Sequence, residues 1–194
     1  GEVVRSSYVL PATALEVDGT GVFWPAEGEF GFDDVAVLRN AVDCSRFRPL
    51  RPISDLLRKV LIISNKMPNE DIEKIMAACK RLGVGLEFAG QHQAVWSVEE
   101  SINDADLVIS LGRGILEGMA CGRPVFVYDC GKGDGLVTPE SYYAVRESNF
   151  SGRCRNRTFT LDEIIEELRC YSPEMGEINR ELVLEHHNID EQIT

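Results

Sequence analysis

The sequence has no C-x-x-C pair and only three histidines, His92, His186 and His187. Its six cysteines (Cys44, Cys79, Cys121, Cys130, Cys154 and Cys170) show no metal-ligand spacing, so neither a metal nor a resident cofactor is expected. Several sit inside apolar patterns, as Cys79 does in "IMAACKRL", where they act as small hydrophobes and suit a reducing, cytoplasmic setting. Basic charge is also scarce. Twenty Lys and Arg against 32 Asp and Glu give a net charge of −12, which argues against nucleic acid as a general partner. No apolar run approaches the ~20 residues of a membrane helix, so no transmembrane segment is expected. The opening "GEVVRSSYVL" lacks the basic and long apolar regions of a signal peptide. It begins with Gly rather than Met, which suggests that a tag residue or a whole domain was removed upstream. There is no G-x-G-x-x-G fingerprint, and "GKGDGLVT" (131–138) carries Lys132 without the spacing of a Walker A loop.

What remains is the composition of an ordinary α/β domain: 194 residues, 44% apolar and 27% charged. "KVLIIS" (59–64) reads as a buried strand. The next segment places Ile72, Ile75, Met76, Cys79 and Leu82 on one helical face, with Asn69 as the expected cap and Gly83 as the stop. "VGLEFAG" (84–90) is the next strand, and "SVEE" (97–100) has capping-box spacing ahead of a short helix. "DLVIS", "ILEGMACG" and "PVFVYD" continue as strand, helix, strand. Alternation of this kind, with fully apolar strands, predicts a Rossmann-like parallel sheet with helices on both faces and C-terminal helices beyond it.

After Asp129 the chain turns rich in Gly and basic residues, and "GKGDGLVT" reads as a loop. A helix is expected from Thr138-Pro139-Glu140 and a second capping box at Thr160 and Glu163. A last helix over "SPEMGEINRELVLEHH" is expected to break at Gly176. From Thr160 to Thr194 ten acids face only Arg169 and Arg180, which reads as a solvated helical surface. The first forty residues show no stable period, although "DVAVLRNAVD" (34–43) resembles a strand entering a turn.

The chemistry concentrates in "DLVISLGRGILEGMACGRPVFVY" (106–128). Ligands of open parallel sheets sit beyond the carboxyl ends of the strands, where helix N-termini offer free N–H groups. Gly112 and Gly114 fall at that place and let the backbone approach a ligand closely. Arg113 adds a planar cation that matches phosphate oxygens. Glu117, one turn on, can return its carboxylate to the same cleft and accept hydroxyl hydrogen bonds. Such groups suit a ligand with phosphate and sugar parts. The plainer alternative is a tight turn, with Glu117 facing solvent or paired with Arg113 or Arg123.

The stretch "ADLVISLGRGILEGMACGRPVFVYD" is similar to the donor-binding segment of retaining glycosyltransferases of the GT-B fold, family-4 type. Those enzymes pattern as a strand, a Gly-rich loop and L-E-A-M-A-C-G-x-P-V. "RNAVDCSRFRP" (39–49) likewise resembles their N-G-V-D-x-x-x-F-x-P element, in the right order and at about the right separation. The likeness covers roughly residues 35 to 143. It implies a single donor-binding domain over 1–194, with its core at about 35–145 and a loop and helical tail over 146–194. It further implies that Glu117 binds ribose hydroxyls and that the amides around Gly114 and Ile115 hold the diphosphate. Asn65 and Lys66 stand where the family keeps phosphate contacts. The implied substrate is a nucleotide diphosphate sugar of the UDP or GDP type. The implied partner is an N-terminal acceptor domain, expected to lie outside this chain, which the basic cluster Arg146, Arg153, Arg155 and Arg157 would face if it is not a solvated loop. Two departures stand out. The earlier glutamate of the family's E-x7-E arrangement is Ile109 here, and the loop after Ser110 is several residues shorter. A non-catalytic nucleotide-binding or interaction module therefore stays open beside the half-enzyme.

Overall fold

The computed structural model describes residues 39–90 and 97–192, together with the backbone of β1 (Leu15–Val17) and β2 (Phe23–Pro25), which pair antiparallel. The expected strand over 34–43 lies outside the described residues as far as Leu38. From Arg39 onward the segment is irregular, and Val42 forms a single parallel bridge with Asn188.

The main sheet holds β3 (Lys59–Ser64), β4 (Gly85–Gly90), β5 (Leu107–Ser110), β6 (Val125–Asp129) and β7 (Lys132–Leu136), in the order β4-β3-β5-β6-β7. The first four run parallel and β7 is antiparallel to β6. Strand alternation divides the interior into two layers. Val60, Ile62, Leu107, Ile109, Phe126 and Tyr128 face α1 (Asn69–Leu82) and α5 (Leu161–Arg169). Leu61, Val108, Val125 and Val127 face α2 (Val98–Asp104), α3 (Arg113–Ala120), α4 (Pro139–Glu147) and α6 (Pro173–His187). A short α7 (Ile189–Gln192) follows. The expected Rossmann-like α/β architecture is the observed one, with one antiparallel edge strand added. Among the described residues no helix is long and apolar enough to cross a membrane.

Several local expectations hold for the reasons given. Gly83 stops α1 in the left-handed conformation at φ +70°, the helix expected from Thr138-Pro139-Glu140 starts there with Thr138 as its cap, and the Thr160 capping box forms. Others differ. Residue 69 opens α1 rather than capping it, because Pro68 takes the cap position, and Ser97 stands at its cap without making the side-chain bond. "GKGDGLVT" is not a loop. Cys130 and Gly131, both at positive φ, turn the chain back on itself, and β7 runs buried along β6. The glycines of this strand answer local crowding, since a Cβ on Gly133 would stand 2.1 Å from the Val127 carbonyl oxygen at the bulge.

Gly176 does not interrupt α6, which is continuous. Its face is pressed against the turn after α3, where Gly122 at φ +70° accepts a close backbone approach. The helical tail thus belongs to the core: α5 residues Ile164, Ile165 and Leu168 complete one layer and Val183 of α6 the other. Its acids are mostly exposed as expected, but Glu167 turns inward to accept the Leu136 amide at 2.9 Å. The end of α6 also closes on the entering segment. Val42 N–H donates to the His187 carbonyl (2.9 Å) and Ile189 N–H to that of Val42 (3.1 Å).

A Gly176→Ala substitution raises helix propensity, yet its Cβ would lie 2.2 Å from the Gly122 oxygen. Urea denaturation should therefore show a net loss of about 1–3 kcal/mol rather than the gain that propensity alone gives. His187 gives a second test. It is buried, its Nδ1 lies 2.7 Å from the Asn40 carbonyl oxygen, and burial pushes its pKa from 6.5 down to about 4. The unfolded chain takes up a proton below pH 6.5 that the folded one refuses. Stability is thus lost as pH falls from 6.5 to about 4. His187→Asn, which keeps a donor near that carbonyl, should flatten this part of the stability–pH curve in denaturation at pH 7, 5.5 and 4.

Candidate functional site

The connections from β3 and β5 leave in opposite directions along the sheet, β3 leading to β4 and β5 to β6, which makes the crevice beyond their carboxyl ends the topological switch point. Both strands end in serine. Ser110, buried, donates its hydroxyl to the Ile63 carbonyl across the strand pair at 2.7 Å. The chain then turns at Gly112, whose φ of +54° favours glycine, and Gly112 N–H donates to the Phe150 carbonyl at 2.8 Å. A Cβ on Gly114 would stand 2.2 Å from Ser110 Oγ, and one on Gly118 would stand 2.9 Å from Val125 Cγ1. The two glycines of the Gly-Arg-Gly turn thus have different tasks. Gly112 permits the turn, and Gly114 lets the helix start directly on the end of β5.

Ile115, expected to offer its amide to a diphosphate, directs that N–H to the Gly112 carbonyl at 3.2 Å. The arginine and glutamate of the turn pair with each other: Arg113 Nε donates to Glu117 Oε1 at 3.0 Å. The two side chains differ sharply in setting, since Arg113 is 79% exposed and Glu117 only 8%. Burial pushes the Glu117 carboxyl above its ordinary 4.5, and the Arg113 guanidinium pulls it part of the way back. Its other oxygen, Oε2, accepts no hydrogen bond from the described residues.

Asn65 and Lys66 occupy an exposed turn after β3. Ser64 Oγ receives the Lys66 and Met67 amides (3.1 and 3.0 Å) and donates to Asp129 Oδ2 at 2.6 Å, so this turn is fastened to the end of β6. The Lys66 amide is therefore engaged and its side chain exposed. Lys66 and Arg113 rise from neighbouring strand ends with no hydrogen bond between them.

Sequence reasoning missed the contribution of the 43–47 loop. Asp43 Oδ1 accepts the Ser45 amide and hydroxyl and the Arg46 amide, folding a tight turn that presents Arg46. Arg46 reaches Glu99 at 2.9 Å, in the first turn of α2. Arg180 of α6 fixes the loop against α3 by donating to the carbonyls of Phe47 and Ala120. The two stretches that resemble the glycosyltransferase elements are therefore packed together. The Asp43 spacing was legible as a turn, but only the fold brings Arg46 beside α2 and α3. The 149–152 loop was missed as well, and its positive-φ residues Asn149 and Phe150 give no sequence signal of contact with Gly112.

Arg123, a possible partner of Glu117, lies elsewhere, buried with Nη2 donating to the carbonyls of Arg51 and Asn103 (3.0 and 2.9 Å). Of the basic cluster, Arg157 pairs with Glu163 and Glu167 while Arg153 and Arg155 are exposed. Among the described residues no three His, Cys, Asp or Glu side chains come together as a metal site. No family model matches the chain, and no curated protein matches it either.

Removing the guanidinium from this pair should move Glu117 further from the ordinary carboxylate range. In Arg113→Ala, NMR titration of the Glu117 carboxyl should give a higher midpoint than in wild type. A carboxyl whose folded pKa is raised costs stability once pH passes its unfolded value near 4.5. Arg113→Ala should thus lose stability against wild type as pH rises from there, and Arg113→Ala/Glu117→Gln should not.

Proposed function

We propose that this domain binds a nucleotide diphosphate sugar, of the UDP or GDP type, as the donor-binding half of a glycosyltransferase. The observation that carries the reading is Glu117: a buried carboxylate at the switch point, held on one oxygen by Arg113 and accepting no hydrogen bond on the other from the described residues. An ionised carboxylate in that state is an acceptor for hydroxyl groups such as the vicinal pair of a ribose. Arg113, largely exposed, and Lys66 on the neighbouring strand end supply cations for phosphate oxygens. The likeness of 106–128 and 39–49 to the GT-B donor elements supports the same ligand class. On this reading the acceptor wall of the cleft comes from a second Rossmann-like domain. The setting is the reducing cytoplasm, which would keep the exposed Cys130, Cys154 and Cys170 as the free thiols they are.

One observation favours a second reading, a module that binds the nucleotide without transferring sugar. Ile109, at the place of the family's earlier glutamate, is fully buried in β5. Donor turnover with a supplied acceptor domain separates the two readings.

Calorimetric titration tests the binding. UDP or GDP should bind more tightly than its 2′-deoxy analogue, and Glu117→Gln should remove most of that preference, about 1–3 kcal/mol. Arg113→Ala should weaken the diphosphate more than the nucleoside. An unchanged ribose preference in Glu117→Gln, or equal losses for both ligands in Arg113→Ala, contradicts the assignment.

A further inference from the structure

Glu117 touches one arginine, and a second stands on the loop tied to its helix. Arg113 approaches from its own helix. Arg46 approaches from the 43–47 loop, half-exposed, its guanidinium 5.0 Å above the Phe47 ring and 2.9 Å from Glu99. The platform under Arg46 is rigid. Asp43 holds its amide at 3.0 Å, Phe47 is buried in the same apolar layer as Ile115 and Leu116, and Arg180 ties the loop to the end of α3. Glu99 stands in the first turn of α2, which starts at the same end of the sheet as α3 and packs on it, and Arg46 clasps it. The fields agree with this geometry: Arg46 draws the Glu117 pKa down and Glu99 pushes it up.

Of the other charged groups on the elements around α3, Glu100 of α2 and Glu177 and Glu181 of α6 are exposed, and two arginines have partners of their own. Arg180 donates to the carbonyls of Cys44, Phe47 and Ala120, and Arg123 to those of Arg51 and Asn103. At the strand ends, Asp106 accepts the Arg58 and Lys59 amides, and Asp129 is held by Ser64 and Cys130.

We propose that Arg46 is a positioning residue of the ligand site: by clasping Glu99 it neutralises the neighbouring carboxylate and keeps Glu117 ionised as an acceptor for ligand hydroxyls. This rests on the nucleotide reading for the identity of the ligand, but the coupling of Arg46, Glu99 and Glu117 is a property of the free protein. Loss of Arg46 acts twice in one direction, removing a cation and baring Glu99. Loss of the Glu99 charge acts in the other direction and frees Arg46 for Glu117.

Two readouts test this, NMR titration of the Glu117 carboxyl without ligand, and UDP and GDP affinity measured across pH. Arg46→Ala should raise the Glu117 midpoint, Glu99→Gln should lower it, and Arg46→Ala/Glu99→Gln should fall between them. Where binding needs ionised Glu117, affinity falls about tenfold per pH unit below that midpoint. The acid limb of the affinity curve should therefore move to higher pH in Arg46→Ala and to lower pH in Glu99→Gln. A merely structural role for Arg46 would lower affinity at every pH without moving the limb. If neither variant shifts the Glu117 midpoint, the proposal is overturned even in a domain that binds UDP. If the midpoints shift as stated and neither nucleotide binds at any pH, the coupling stands and the nucleotide reading falls.

Discussion

Helix α3 lies closer to the sheet than any side chain with a Cβ at Gly114 or Gly118 would allow. One glycine clears Ser110 and the other clears Val108 and Val125. Everything around the site follows from that approach. It puts the first turn of the helix over the end of β5, buries the length of Glu117, and leaves the arginine at the tip in solvent. The same principle operates at the far end. There Gly122 stops the helix through bonds from its own amide to Met119 and from Arg123 to Gly118, and lies against Gly176 of α6. A short helix is clamped between sheet and α6 by glycine at both ends. Its position is set by backbone contacts rather than by side chains that can repack.

The charge around that helix is arranged by cover rather than by count. The chain carries an excess of acid, yet the described carboxylates that turn inward are each held by particular donors. Asp106 takes two backbone amides, Asp129 a serine and an amide, and Asp71 the Tyr128 hydroxyl at 2.6 Å. Glu117 differs in its donor, a largely exposed guanidinium in place of an amide or a hydroxyl. Buried at the switch point beside an exposed cation, it fits the binding role proposed above.

Much of this was legible in the residues. Fully apolar strands alternating with period-3.6 helices gave the layered sheet, because burial on both faces demands that pattern. Thr138 and Thr160 could be read as caps because their bonds are local. What depended on distant partners was not legible. "GKGDGLVT" reads as a loop because its glycines signal flexibility, whereas in the fold they admit the Val127 carbonyl and the Glu167 carboxylate. Gly176 reads as a helix breaker for the same reason. In the site, Gly112, Gly114 and Glu117 could be located from their place after a strand. The pairing of Arg113 with Glu117 was visible only as one alternative. Arg46 was hidden, because its relation to α3 crosses about seventy positions of sequence.

The bridge between Val42 and Asn188 joins the segment that enters the sheet domain to the helix that leaves it. The two run parallel, with one hydrogen bond on either side of Val42. A pull that enters ahead of Val42 and leaves after Asn188 acts on them in opposite senses along a common line. It loads both bonds together, in shear, instead of peeling them one after the other. Tension between the two ends of the domain is borne first by this clasp, and the sheet beneath it stays unloaded until the clasp gives way.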